Sequence, residues 1–178
     1  MITITKNFSH FKSTKKGTIG EFLVIDIIKK MFPQYDILTH HIKNKAHWVD
    51  FVIMNKEKND VKYIEVKTKA RFNKYPITGI DLRHYKEYIK LYEKGNDVII
   101  IFVDDKIGDI HFLPVSKAIE LENQDKIKRF SFKQKNKKTE TICWYLSDMK
   151  FISKITEKYI NNLTRYDERN YIFKIENI

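Results

Sequence analysis

The run Tyr63-Ile64-Glu65-Val66-Lys67-Thr68 alternates charge with hydrophobe. Period-two alternation puts Glu65 and Lys67 on one face of a strand and Ile64 and Val66 on the other. Charges enter an apolar strand when they are paired or bind a metal. Upstream, His47-Trp48-Val49-Asp50-Phe51-Val52-Ile53-Met54 is a second strand-like run, and Asn55-Lys56-Glu57-Lys58-Asn59-Asp60 between the two is polar and turn-like. A symmetric loop pairs Asp50 with Glu65, Val52 with Tyr63 and Met54 with Val61. Directly opposed residues have Cβ atoms about 4.5–5.5 Å apart. Two carboxylates at that separation repel unless a cation sits between them. A hard divalent ion with oxygen ligands fills that role, and Lys67 stands beside it.

These residues need elements to hold them. Thr18 opens a helical pattern with Ile19, Phe22, Leu23, Ile27, Ile28 and Met31 on its apolar face, and Pro33 stops it. Residues 35–43 read as a short strand, 47–54 and 61–69 as the hairpin, and 70–77 as an irregular basic segment. Thr78-Gly79-Ile80-Asp81 starts a second helix, striped by Leu82, Tyr85, Ile89 and Tyr92 and ended by Gly95. Residues 97–103 form a fully buried strand, 110–113 its neighbour, and Ser116 begins a short helix. A helix crossing between 61–69 and 97–103 makes those strands parallel. The expected fold is α/β, a mixed central sheet flanked by helices. Residues 1–122 form the core. Residues 123–178 form an extension: a hairpin of 127–132 and 141–146, then a helix from Asp148 through Leu163.

Asp50, the strand-borne Glu65-Val66-Lys67 and the helix carrying Gly17-Thr18-Ile19-Gly20-Glu21 together resemble the PD-(D/E)XK nuclease superfamily, with its resolvase-like and restriction-endonuclease-like members. The resemblance covers roughly residues 17–114. It departs from the family at Val49, where proline is frequent, and at His84 before Tyr85, where many members carry glutamine. It implies a mixed four-stranded sheet between helices and phosphodiester hydrolysis with Mg²⁺, for which Mn²⁺ substitutes. Asp50, Glu65 and the main-chain carbonyl of Val66 would hold the metal. Glu21 would act as an outer ligand, directly or through water, and Lys67 would position the attacking water or neutralise the phosphate. Each residue has a structural alternative. Glu65 and Lys67 make a salt bridge on a half-exposed sheet, Asp50 caps a turn, and Thr18 with Glu21 forms a capping box. Glu65-Val66-Lys67 is the only E-x-K in the chain. Asp60-Val61-Lys62 and Asp148-Met149-Lys150 are D-x-K competitors that lack a strand-borne acid before them.

The chain has 178 residues and a formal net charge of +11, which favours a polyanionic partner, nucleic acid first. Lys16, Lys43, Lys45, Lys69, Arg71, Lys74 and Tyr75 bracket the site in sequence and read as a phosphate-tracking rim. The basic run 126–138 reads as a solvated hairpin or a second contact arm. One cysteine, Cys143, leaves no intramolecular disulfide and no CxxC zinc site. The six histidines show no zinc spacing. With no apolar run of bilayer length and no signal-peptide pattern, the expected compartment is the cytoplasm, away from membrane. The expected function is a metal-dependent deoxyribonuclease acting on branched or duplex DNA, as a homodimer where both strands are cut. The alternatives are a non-cutting nucleic-acid-binding protein on the same fold and an RNA-directed nuclease.

Overall fold

The computed structural model describes residues 12–39, 49–72, 75–134 and 137–164. Strands β1 (Asp36–Thr39), β2 (Phe51–Asn55), β3 (Asp60–Thr68), β5 (Asp97–Val103), β6 (Asp109–Pro114) and β9 (Lys150–Lys154) form a six-stranded sheet in the order β1-β2-β3-β5-β6-β9. β4 (Ile77–Asp81), β8 (Lys137–Tyr145) and β7 (Ile127–Gln134) form a second sheet, in that order. In the main sheet only β3 and β5 run parallel. The connection between them carries α2 (Leu82–Glu93), as a parallel pair requires. The fold is therefore the mixed α/β arrangement expected from the sequence.

Alternation along the central strands separates two cores. Ile64, Val66, Ile101 and Val103 pack with Leu23, Val24 and Ile28 of α1 (Lys12–Met31) and Leu163 of α4 (Glu157–Thr164). On the other face, Val52, Val98, Ile100 and Phe102 pack with Tyr85 and Tyr88 of α2 and with Ala118 and Leu121 of α3 (Val115–Asn123). Ile142 and Trp144 of β8 join that core. Both faces of β3 and β5 are thus covered, which is the environment of a parallel pair. Residues beyond 122 supply strands to both sheets: β8 pairs with β4, and β9 pairs with β6. Among the described residues no helix is long and apolar enough to cross a membrane.

The structure differs from the sequence reading at three elements. α1 begins at Lys12 rather than Thr18, and its face is rotated: Val24 and Ile25 are buried, while Phe22 and Met31 are about half exposed. Ile77-Thr78-Gly79-Ile80-Asp81 is a strand, not a helix start. Asp81 is the N-cap, its carboxylate accepting the Arg83 amide at 2.8 Å. Lys150–Lys154 is also a strand, where a helix from Asp148 was expected. Both unexpected strands are held by distant partners, which override local propensity. Residues 40–43 of the expected first strand lie outside the described residues.

β4 approaches β8 closely at Gly79. A Cβ there would lie 2.0 Å from the Ile142 carbonyl oxygen and 2.7 Å from Cys143 Cα. Both are backbone atoms that cannot rotate away. Gly79→Ala should therefore lower stability by about 2–3 kcal/mol, measured by denaturant melts. An unchanged midpoint would contradict this account of the β4–β8 contact.

Candidate active site

The hairpin has the expected register: Val52 opposes Tyr63 and Met54 opposes Val61, and the last registered pair is Phe51 with Ile64. Asp50 lies one residue beyond. Its amide donates to the Ile64 carbonyl at 3.0 Å, and its Oδ2 accepts the Val66 N–H at 2.6 Å. The carboxylate thus takes up a backbone donor of β3 where β2 has ended. Glu65, 6 % exposed, projects from the same strand toward α2. Lys67 Nζ donates to its Oε1, and the Tyr88 hydroxyl is hydrogen-bonded to it. Asp50, Glu65 and Lys67 are therefore brought together at the C-terminal end of β3.

Negative charge is crowded here. Burial, then the charge of Glu65, pushes Asp50 from its ordinary 3.8 up to about 7; Glu21 adds to the rise, and the Val66 N–H and Lys67 oppose it. Burial and then Glu65 also raise the Tyr88 hydroxyl. Burial and then the Lys67 charge hold His84 below the usual imidazole range. The donor set is oxygen-rich and suits a hard divalent cation. Among the described residues no three Asp, Glu, His or Cys side chains form a ready cage. Mg²⁺ commonly takes one or two carboxylates and keeps several waters, so the pair fits that ion.

Glu21 reaches the site because α1 packs tightly on β3. A Cβ on Gly20 would lie 1.8 Å from Thr68 Oγ1 and 3.0 Å from Thr68 Cβ, so only glycine permits this approach. Thr18 lies inside α1 and not at its start, so the capping-box reading of Thr18 and Glu21 does not hold. Sequence reading missed Tyr88. Tyr85, the tyrosine next to His84, instead packs edge-on against Trp144 with centroids 5.2 Å apart. Tyr88 stands four residues after His84 and shares its helix face. That spacing was the available signal.

The competing triplets have other uses. Asp60 accepts from the Tyr35 hydroxyl, and Lys62 pairs with Asp60 at 3.0 Å and Asp97 at 2.7 Å, at the opposite end of β3. Asp148-Met149-Lys150 leads from a 3₁₀ turn (Leu146–Asp148) into β9. Two expected nucleic-acid contacts are corrected. Lys16 is 6 % exposed and paired with the fully buried Asp105, so its ammonium faces inward. Arg71 is bound to Asp104 and Asp109, each at 2.6 Å, so its guanidinium braces the β5–β6 turn. Tyr75 is 52 % exposed, and Lys69 is half-buried near Cys143. Lys43, Lys45 and Lys74, with His10, His40, His41 and His47, lie outside the described residues.

No family model matches the sequence, and no curated protein matches it. Solved structures with a similar course include a nuclease from a fusselovirus, 14% identical, covering 86% of this chain and 92% of that one with a TM-score of 0.49. Another is Hjc, a Holliday junction resolvase from the archaeal hyperthermophile Archaeoglobus fulgidus. It is 13% identical, covering 82% of this chain and 93% of that one with a TM-score of 0.42.

A carboxyl whose folded pKa is raised binds its proton more tightly folded than unfolded. Between pH 3.8 and about 7 Asp50 therefore makes the metal-free protein less stable as pH rises. Asp50→Asn keeps an acceptor for the Val66 amide and removes the charge. In EDTA it should be about 2 kcal/mol more stable than wild type at pH 8, and near parity at pH 4. Thermal melts across that range test this, and parallel curves for the two proteins would refute it.

Proposed function

We propose that the protein is a divalent-metal-dependent endonuclease that hydrolyses phosphodiester bonds in DNA, with Asp50, Glu65, Lys67 and Glu21 as its catalytic set. One observation carries the reading: two carboxylates and a lysine are gathered at one strand end, so crowded that Asp50 is pushed up to about 7. A structural ion pair needs no second acid. Asp50, Glu65 and the Val66 carbonyl would hold Mg²⁺ or Mn²⁺, with Glu21 contributing directly or through water. The bound cation would supply Lewis acidity and neutralise charge on the scissile phosphate.

The chain's own groups fix the geometry. The Val66 N–H holds the Asp50 carboxylate, and Tyr88 and Lys67 hold that of Glu65. Such support lowers the reorganisation needed when charge develops. Lys67 presents an ammonium beside the attacked phosphate and orients the incoming water. The formal charge of +11 draws a polyanion to the site, with Lys69 two residues beyond Lys67 and Lys43, Lys45, Lys74 and Tyr75 close by in sequence. Cutting both strands of a duplex or junction requires two such sites, which a homodimer provides.

The test is cleavage of supercoiled plasmid, single strand, four-way junction and RNA with Mg²⁺, Mn²⁺ or EDTA. DNA products are expected with either metal and not with EDTA. Lys67→Ala and Asp50→Ala should each cut at least about 100-fold more slowly. DNA bound but never cut, or products that survive both substitutions, would overturn the proposal.

A further inference from the structure

The second sheet has an outer face that belongs to neither core. Ile80, Ile142 and Trp144 point inward. The next row, Asp81–Thr141–Phe130 in register across β4, β8 and β7, therefore points outward. Lys128 and Phe132 share that face of β7. Phe130 and Phe132 are only half-buried, and neither core includes them. Phe72, from the segment that follows β3, stacks on them, with centroids 5.0 Å from Phe130 and 6.2 Å from Phe132.

This face starts at the active site. Asp81 ends β4 and caps α2, accepting the Arg83 amide at 2.8 Å, and the same helix carries Tyr88, which is hydrogen-bonded to Glu65. Phe130 lies two strand spacings from Asp81, about 10 Å. Alternation puts Lys128 on this face of β7 beside Phe130, whereas Arg129 lies on the other face and pairs with Glu122 at 2.6 Å. Lys128 is exposed and opposes the fully buried Cys143, and Lys69 follows directly on β3, its amide donating to the Val103 carbonyl at 3.0 Å.

We propose that this face is a ledge for an unpaired DNA strand passing from the active site, its bases against the Phe72–Phe130–Phe132 cluster and its phosphates along Lys69 and Lys128. Aromatic rings stack on base faces that a continuous duplex conceals, and lysines track the backbone without regard to sequence. The choice of DNA rests on the nuclease reading above. The substrate it selects has unpaired nucleotides beside the cut.

The test is fluorescence anisotropy in EDTA with a labelled single-stranded DNA, the blunt duplex of the same sequence and the matching single-stranded RNA, across a salt series. Wild type should bind the DNA single strand about tenfold more tightly than the duplex. Phe130→Leu/Phe132→Leu keeps apolar bulk under Phe72 and should abolish that preference while leaving duplex affinity in place. Lys128→Gln, at an exposed position, should weaken single-strand binding and reduce the salt slope by about 0.7. Equal single-strand and duplex affinity, tighter binding of RNA than DNA, or a preference unmoved by both variants would overturn the ledge. Binding in EDTA requires no chemistry, so its failure leaves the cleavage proposal standing. Absence of cleavage beside an intact single-strand preference would defeat only the nuclease reading.

Discussion

The site depends on the hydrogen bond from the Val66 amide to the Asp50 carboxylate. β2 and β3 part company after Phe51 and Ile64, and a backbone N–H of a buried strand would otherwise lose its partner there. An unpaired buried amide costs free energy comparable to a lost hydrogen bond. Asp50 supplies the missing acceptor and is thereby fixed beside Glu65. One bond completes the sheet edge and sets the separation of the two acids. The structural need of β3 and the placement of charge are the same event.

The molecule contains a second concentration of buried charge, and the contrast is instructive. Around the β5–β6 turn, Arg71 answers Asp104 and Asp109, Lys16 answers Asp105, and Lys154 approaches Asp109 at 3.8 Å. Arg71 and the turn amides of Lys106 and Ile107 hold the Asp104 carboxyl below its usual range despite burial. Acids matched by cations and amides in this way act as braces. At the end of β3 the balance is reversed: Asp50 rises, because burial and then a neighbouring acid outweigh one amide and one lysine. The same residue types are matched in one place and left crowded in the other.

How much of this was legible depended on range in sequence. The β2–β3 register, the faces of Glu65 and Val66, and the parallel β3–β5 pair follow from local alternation and the length of the connection. β4 and β9 do not, because their partners lie about sixty and forty residues away, at Cys143 opposite Gly79 and at Ile110 opposite Ser153. Lys16 and Arg71 read as surface cations because sequence shows a charge without its partner; Asp105 and Asp104 appear only in three dimensions. Tyr88 was overlooked for a different reason: it falls outside the apolar stripe of Leu82, Tyr85, Ile89 and Tyr92, and only its hydrogen bond to Glu65 marks it as part of the site.

The pairing of β8 with β4 has a consequence for how the chain acquires its chemistry. Asp50 and Glu65 sit on an early, local hairpin. The wall that buries Glu65 includes α2, which is packed against Ile142 and Trp144 of β8, made some eighty residues later. Contacts of such long sequence separation close slowly. During synthesis the hairpin is therefore exposed first as an ordinary solvated turn, its carboxylates behaving as they would in a peptide. The poised cluster comes into being only when the last strands arrive, so a nascent or truncated chain holds the residues of the site without its electrostatics.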